Sequence, residues 1–513
     1  MKKSISTLLW IIGIIVLCCI VLIPIFKPGF IVTDDADWMV IRLSAFFQSL
    51  RDGQVPVRFL GRLNFSYGYP VADFLYPGFL YIGSILHVLG FSFSGAVECI
   101  LVLSVVVGAI AMFAWLRTFF TATASGIASL SFVVAPYLLY DVFKRGSVGE
   151  VLAIALAALS FAALEKKYQW LLAPSVALLS ISHNTLALFF IPLLFGYIYI
   201  KKMWVSLPPL VLGIGMSLFF WLPALFDQRY VKFDSVIVSD PSHFFPDSHM
   251  IILWSSLFLI AACISLFIQK KAYIKEKTYL FVVMILAVFM ASVLSFGVWH
   301  SAAVQRLVQF PFRFLSLLCI TGPWFLAYCI SCTKLRLSYV AGLIVVAILC
   351  VLSVQYQGKE SIVRSEGFYT TNEGTTTVAD EYMPRWVSVL PKQRPPQKIE
   401  VINGDADITE VKINSQSIVA LIHAEEESIL RVNIIYYPGW RAKLDNTQIP
   451  ILYDNPYGVM QITIPAGTHP LIMVFRETPG RFIADIVAVV CFIMYAFGYV
   501  LLPSVRRMNR LGI

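Results

Sequence analysis

The chain has 513 residues, 58% of them hydrophobic and only 13% charged, with a net charge of +9 and a mean hydropathy of +0.78. That composition excludes a soluble globular protein of this size, because many apolar runs approach or exceed the roughly 20 residues that cross a bilayer. The surplus of Lys and Arg is explained by anchoring at a cytoplasmic membrane face. No basic patch interleaved with aromatics and no nucleic-acid motif is present, so nucleic acid is excluded as a partner.

Met1-Lys2-Lys3 precedes an apolar run from Leu8 to Phe26. The run is longer than a signal-peptide core and lacks a small-x-small cleavage site, so it reads as an uncleaved first transmembrane helix near 8–27. Further spans are expected near 98–116, 125–141, 149–165, 170–182, 186–200, 206–226, 251–269, 278–296, 312–330, 337–355 and 482–503, about twelve in all. The segment 77–91 is apolar but short, and reads as an interfacial or re-entrant piece, a further span being the alternative. Lys2-Lys3, Arg117, Lys166-Lys167, Lys201-Lys202, the cluster 270–277, Lys334/Arg336 and Arg506-Arg507-Arg510 then all fall on one side. By the positive-inside rule that side is the cytoplasm, with both termini there.

The opposite, extracytoplasmic side receives the polar loop 28–97, the turn 144–150, Ser182-His183-Asn184, the loop 227–250, the stretch 297–313 and the region 356–480. The last of these changes character. Alternating β-branched runs such as KIEVI, SIVALI, LRVNIIYY and HPLIMVF are separated by Asn, Asp, Gly and Pro turns, which predicts a small antiparallel β-sandwich. The expected organisation is a transmembrane core over 1–355, the β domain over 356–480, and a final helix with a basic tail over 481–513. All nine cysteines lie in or beside apolar segments, and no CxxC or Cys/His spacing occurs, so neither disulfides nor a structural zinc are expected.

The loop after the first span concentrates the chemistry. Asp34, Asp35 and Asp37 stand at a membrane exit, where a helical pattern begins that runs to about Arg51 and places Asp35, Met39 and Arg42 on one face. Capping of a helix start needs only one acid; carboxylates raised in pKa by burial and mutual repulsion suit general-base work. Arg42 shares the Asp35 face and could orient that carboxylate or hold a phosphate. Arg58 and Arg62 read as headgroup anchors, with Arg58, Tyr67, Tyr69 and Asp37 also placed to touch an acceptor or sugar. Arg145 and Glu150 flank Gly146-Ser147 at an external helix start, which is either an ion pair or a site for substrate hydroxyl or phosphate. His183-Asn184 interrupts two spans, as a tight turn or as a head-group ligand. His243, beside Asp240, Asp247 and His249, lies in a loop without a specific metal motif; no cofactor is required by the sequence, and a divalent metal would have only that loop to bind it. Arg313 starts an external span as an anchor or a phosphate clamp.

TDDADWMVIR, LRDGQVPVRF, SYGYPVADFLYP, RGSVGE, SHN, WLPAL…SHFF and QFPFRFL, in this order, resemble a bacterial family of multi-pass proteins labelled "6-pyruvoyl-tetrahydropterin synthase-related". The C-terminal YYPGWRAKLDN…PAGTHPLIMVFRETPGR resembles YfhO-like membrane proteins. Both families look like members of the GT-C glycosyltransferase superfamily. The resemblance implies a GT-C-like helical core with a catalytic Asp or Glu in its first external loop, and carries no implication of pterin chemistry. It also implies a sugar donor on polyprenyl phosphate, an extracytoplasmic acceptor, and a bacterial plasma-membrane location. Asp35 and Arg42 match the Asp and Arg of the family pattern, whereas Asp34 and Met39 stand where the pattern often has His, which weakens any His-dependent step.

The expected fold is therefore an α-helical polytopic membrane protein of GT-C type with about twelve transmembrane helices and a small external β-sandwich. The expected function is inverting transfer of a sugar from a lipid-phosphate donor to a cell-envelope glycan, lipid or protein. Asp35, or Asp34, is the expected base. A transporter or flippase would instead put charges near mid-membrane and show repeated halves with broken helices, and a non-catalytic assembly protein would rely on the β domain.

Overall fold

The computed structural model describes residues 2–238, 240–247, 249–268, 273–332, 337–358 and 360–501. Lys270, Lys271, Lys334, Arg336 and the tail Arg506-Arg507-Arg510, all invoked for orientation, lie outside the described residues. The first half is α1 (Lys2–Val21), α2 (Ala36–Arg51), α3 (Gly78–Val88), α4 (Phe93–Leu116), α5 (Ala122–Val133), α6 (Pro136–Tyr140), α7 (Val148–Glu165), α8 (Gln169–Ser182) and α9 (Asn184–Lys201). It continues through α10 (Leu207–Met216), α11 (Leu218–Asp227), α12 (Ser255–Phe267), α13 (Ile274–Ala291), α14 (Phe296–Trp299), α15 (Ala302–Val308), α16 (Leu315–Cys332), α17 (Leu337–Val354), α18 (Glu366–Thr371) and α19 (Pro479–Tyr495).

Each of the twelve expected spans is occupied by helix. Among the described residues seven helices are long and apolar enough to cross a membrane, or nine if each of two bent pairs counts once. The bends are 56° between 204–216 and 218–230, and 77° between 274–291 and 293–299. Three further expected spans correspond to shorter apolar helices, Ile5–Val21, Gln169–Ser182 and Ser255–Phe267. The shortening of α8 has a local cause: the chain extends at His183 (φ −161°) and α9 starts at once, so two helices meet in a one-residue corner. Helix α3 has only 11 residues. At 1.5 Å per residue it reaches about 16 Å, half a bilayer, and it packs between α2, α4 and α8 rather than crossing.

The region after α17 returns to the first loop before building the β domain. Strands β1 (Phe30–Ile31) and β2 (Ser361–Ile362) pair antiparallel, Phe30 opposite Ile362. The domain itself consists of β3 (Ile399–Asn403), β4 (Ala406–Ile413), β5 (Ser417–Ala424), β6 (Ser428–Ile435), β7 (Trp440–Leu444), β8 (Thr447–Ile449), β9 (Val459–Ile464) and β10 (Gly467–Phe475). They form two antiparallel sheets, ordered β4-β5-β10-β7-β8 and β3-β6-β9. Alternation does what period-2 patterning predicts: Ile418, Ala420 and Ile422 of β5 and Leu471 and Met473 of β10 point into one core with Leu430 and Val432 of β6. The first loop inserts Phe59 and Phe74 into that same core. Phe59 meets Trp440 edge-on at 6.0 Å, and Tyr437 is fully buried. Trp440 and Tyr437 are therefore core.

A buried ionic network rivets the parts together. Arg58, 1% exposed, reaches Asp485 of α19 at 2.9 Å, Glu477 at 3.1 Å, Asp73 at 3.5 Å and the Phe219 carbonyl at 2.7 Å. Arg481 of α19 joins Asp227 of α11 at 2.7 Å and Asp73 at 3.2 Å. The Tyr437 hydroxyl donates to Asp73 at 2.7 Å. Arg58, expected to anchor at headgroups or touch an acceptor, is instead sealed inside this seam, because four carboxylates without a guanidinium could not be buried together.

Removing one partner of such a network leaves charge uncompensated. Arg58→Met should lower stability by roughly 3–5 kcal/mol, whereas Lys144→Ala, which breaks an exposed pair, should change it by no more than about 1 kcal/mol. Thermal unfolding of the purified protein reads both, and equal losses would refute the assignment.

Candidate active site

Three acidic residues open α2, and the structure gives each a different fate. Asp34 is exposed and pairs with Lys144 at 2.9 Å. Asp37 is held by Arg364 at 2.7 Å and by the Tyr369 hydroxyl at 3.1 Å. Both are thus engaged by structural partners, which argues against Asp34 as the base and Asp37 as a sugar contact. Asp35 stands at the N-cap position of α2, yet its side chain makes no capping bond. Thr33 does that work: its Oγ1 accepts the Ala36 N–H at 3.0 Å. The Asp35 carboxylate makes no hydrogen bond or ion pair among the described residues. It is half-buried, and burial pushes its carboxyl above the usual aspartate range against the pull of Arg145, Arg42 and Arg313.

The backbone fixes where Asp35 sits. The N–H groups of Asp34 and Asp35 donate to the carbonyls of Lys144 and Arg145, both at 2.9 Å. That docking requires Gly146, whose φ is +67° and where a Cβ would come within 2.3 Å of Thr33 Oγ1 and 2.6 Å of Ala36 Cβ. A π-helical turn, Asp141–Arg145, leads into it and brings Asp141 and Arg145 into a 2.7 Å ion pair.

Next to Asp35 lies a buried polar cluster centred on Glu150, in the first turn of α7. Its Oε1 accepts from Arg145 Nη1 at 2.7 Å and Arg313 Nε at 3.0 Å, and its Oε2 accepts from the Tyr137 hydroxyl at 2.6 Å. His183 Nε2 stands 3.4 Å from the same Oε1. Burial pushes the His183 imidazole down to about 3, so it is neutral; its Nδ1 accepts the Leu186 N–H at 3.4 Å and caps α9, which leaves the Nε2 hydrogen facing Glu150. Arg313 also donates through Nη1 to the Val308 carbonyl at 2.8 Å and to Gln309 at 3.1 Å. Two acids, Asp141 and Glu150, thus balance two arginines. Arg145 lies over the Phe312 ring and Arg313 over the Phe310 ring, each at 4.8 Å. Nη2 of both arginines makes no hydrogen bond among the described residues, so each guanidinium keeps one donor edge for a ligand.

Arg42 is committed elsewhere. Its Nε donates to Thr376 Oγ1 at 3.0 Å and its Nη2 to the Thr376 carbonyl. It anchors the segment 376–382 over the site, where burial pushes Glu381 up against the pull of Arg42. Its expected role as a phosphate ligand gives way to that anchoring. Tyr69 is fully buried, its hydroxyl bonded to Thr377 at 3.0 Å and to the Tyr382 N–H at 3.1 Å. Tyr67 sits in the seam with the β domain, its carbonyl accepting the Ile435 N–H at 2.8 Å. Neither tyrosine reaches the cluster as a sugar contact. Asn184 ties α9 to the first loop through the Phe74 carbonyl at 3.1 Å. His243 is 83% exposed, 3.8 Å from Asp240, and makes no contact with the Glu150 cluster among the described residues. No group of three or more His, Cys, Asp or Glu among the described residues is placed to hold a metal ion.

Sequence reading thus brought Asp35, Arg145, Glu150, His183 and Arg313 to one place. It missed Tyr137 and Asp141. An ionisable residue closing an otherwise apolar span was the available signal for Asp141; Tyr137 carried none.

No family model and no curated protein matches the chain. Among solved structures, the arabinofuranosyltransferase AftD from Mycobacteria is similar at 16% identity and TM-score 0.48, over 67% of this chain and 26% of that one. The Archaeoglobus fulgidus oligosaccharyltransferase in the apo form is similar at 11% identity and TM-score 0.45, over 70% of this chain and 57% of that one. AglB from the same organism, in complex with an inhibitory peptide and a dolichol-phosphate, gives 11% identity and TM-score 0.45, over 71% and 56%. The chain spans about a quarter of the length of AftD.

Replacing Glu150 by Gln would leave two buried guanidinium groups facing Asp141 alone. The single variant should lose roughly 3–5 kcal/mol. Adding Arg313→Met restores charge balance and should recover part of the loss, a coupling read by a double-mutant cycle in thermal unfolding. Strict additivity of the two changes would contradict the cluster.

Proposed function

We propose that the protein is a membrane glycosyltransferase of GT-C type, and that Asp35 is its general base. The observation that carries the reading is the state of Asp35. Among the described residues it is the one acid of its trio without a side-chain partner, raised in pKa by burial, and fixed by backbone beside two arginines with open donor edges. The order of motifs resembling GT-C families supports the same chemistry.

In this reading an acceptor hydroxyl gives its proton to an Asp35 carboxylate oxygen as its own oxygen bonds to the anomeric carbon of the donor sugar. The bond from that carbon to the lipid-phosphate oxygen breaks, and its electron pair leaves on the phosphate. One displacement inverts the anomeric centre. The growing negative charge on the phosphate is met by Nη2 of Arg145 and Arg313, held rigid by Glu150. The neutral His183 and Tyr137 position Glu150 rather than transfer protons. A polyprenyl-phosphate donor suits a site at the end of apolar helices, because the lipid chain stays in the bilayer while the head group enters the cluster. The acceptor then lies on the extracytoplasmic side, with the β domain above it.

Asp35→Asn should lower transfer from polyprenyl-phosphate sugars by ~10²–10⁴-fold without shifting the unfolding temperature. Because the carboxyl is raised, activity of the unaltered protein should fall with decreasing pH along a limb lying above the ordinary aspartate value of about 3.9. Full activity in Asp35→Asn would end the proposal.

A further inference from the structure

A polar cavity of about 560 Å³ lies where the first loop meets the β domain, away from the Glu150 cluster. Along α2, from Asp35 to Gln48 on its rim, the separation is about 20 Å at 1.5 Å per residue. Its lining brings together Arg62 from the first loop, Glu373 from the segment after α18, and Arg394, Lys398, Asn414 and Ser415 from the β domain.

The charges inside do not balance. Glu373 is the only carboxylate on the lining, and it is already taken: Arg394 Nε donates to it at 2.7 Å and the Ser66 hydroxyl at 2.7 Å. Among the described residues the hydrogen-bond partners of Arg62 are all neutral, the Thr370 carbonyl at 2.5 Å, the Tyr369 carbonyl at 3.1 Å, the Ile41 carbonyl at 3.3 Å and Ser44 Oγ at 2.5 Å, while its Nε is buried without any. Lys398 donates to the Ser66 carbonyl and forms no ion pair among the described residues. Burial pushes the Lys398 ammonium down to about 8 and the Arg62 guanidinium to about 10, because the single nearby carboxylate, Glu373, offsets only part of the desolvation of both cations. The Ser415 hydroxyl, 9% exposed as a residue, is buried and has no partner either.

Two under-compensated cations and an orphan hydroxyl, facing one polar space rimmed by further hydroxyls and amides, describe a site waiting for an anion that also carries hydroxyl groups. We infer that this cavity binds an anionic saccharide, a sugar chain bearing a carboxylate or a phosphate, with Arg62 and Lys398 on the charge and Ser415 and Asn414 on hydroxyls. The site stands independently of the sugar-transfer reading, since none of its residues belongs to the Asp35 or Glu150 cluster.

The test is calorimetric titration of the full-length purified protein near neutral pH with a uronate-bearing oligosaccharide, its neutral counterpart of equal length, a phosphorylated counterpart, and inorganic phosphate. Either charged saccharide should bind at least ~10-fold more tightly than the neutral one, and more tightly than phosphate alone; which of the two binds better identifies the anion. Lys398→Gln should weaken binding by ~10-fold. Because that change also removes a contact to Ser66, Asn414→Asp provides the second arm. It keeps the oxygen that caps the 414–417 turn and adds a negative charge, so it should weaken the charged ligand at unchanged unfolding temperature. Equal affinity for charged and neutral chains, phosphate binding as tightly as the saccharide, or an unaffected Asn414→Asp variant would each overturn the inference.

Discussion

Glu150 sits at the end of an apolar helix with both carboxylate oxygens occupied and no exposure to solvent. A lone carboxylate there would be expelled or neutralised, since transfer of an unpaired ion into such surroundings costs many kcal/mol. It is tolerated because Tyr137 and Arg145 from one helical stretch, His183 and Arg313 arrive from three different segments to meet it. The dependence runs both ways. The arginines are held in one rotamer by Glu150, the turn carrying Arg145 is locked by Gly146 against Thr33 and Ala36, and that turn in turn supplies the carbonyls on which Asp34 and Asp35 rest. One buried ion cluster thus fixes the first loop relative to the helices.

The Arg58–Arg481 network performs the equivalent task on the other side of the loop. It couples α11, α19 and the base of the β domain through Asp73. Between the two networks the first loop has little freedom, and the aromatic insertions of Phe59 and Phe74 into the sandwich core remove more. That restraint holds the Asp35 backbone and the Arg145 and Arg313 guanidinium groups in one relative arrangement.

Periodicity made the helices and strands legible. Apolar runs near bilayer length announced the helices of the twelve expected spans, and period-2 alternation announced the sandwich, because both follow from burying one surface. The end of α8 at His183 was legible as an interruption between two spans, whereas the bends of 56° and 77° inside the expected spans 206–226 and 278–296 were not. In the site, charge type and position pointed to Arg145, Glu150, His183 and Arg313. The reading failed for Arg42, Arg58 and Tyr69, whose side chains were assigned to ligand and belong to the scaffold.

The amino-acid sequence alone determined that the chain is a polytopic helical protein with a β-rich region in its C-terminal part. Only the tertiary structure decided which of three neighbouring acids is unengaged. Asp34 finds Lys144 110 residues away and Asp37 finds Arg364 327 residues away, while Thr33 takes the helix cap. Local patterning reports which face is apolar; it carries no record of which distant charge will be folded against a given carboxylate. Ion pairing is settled by long-range packing, and for Asp35 that packing left the carboxylate without a partner among the described residues.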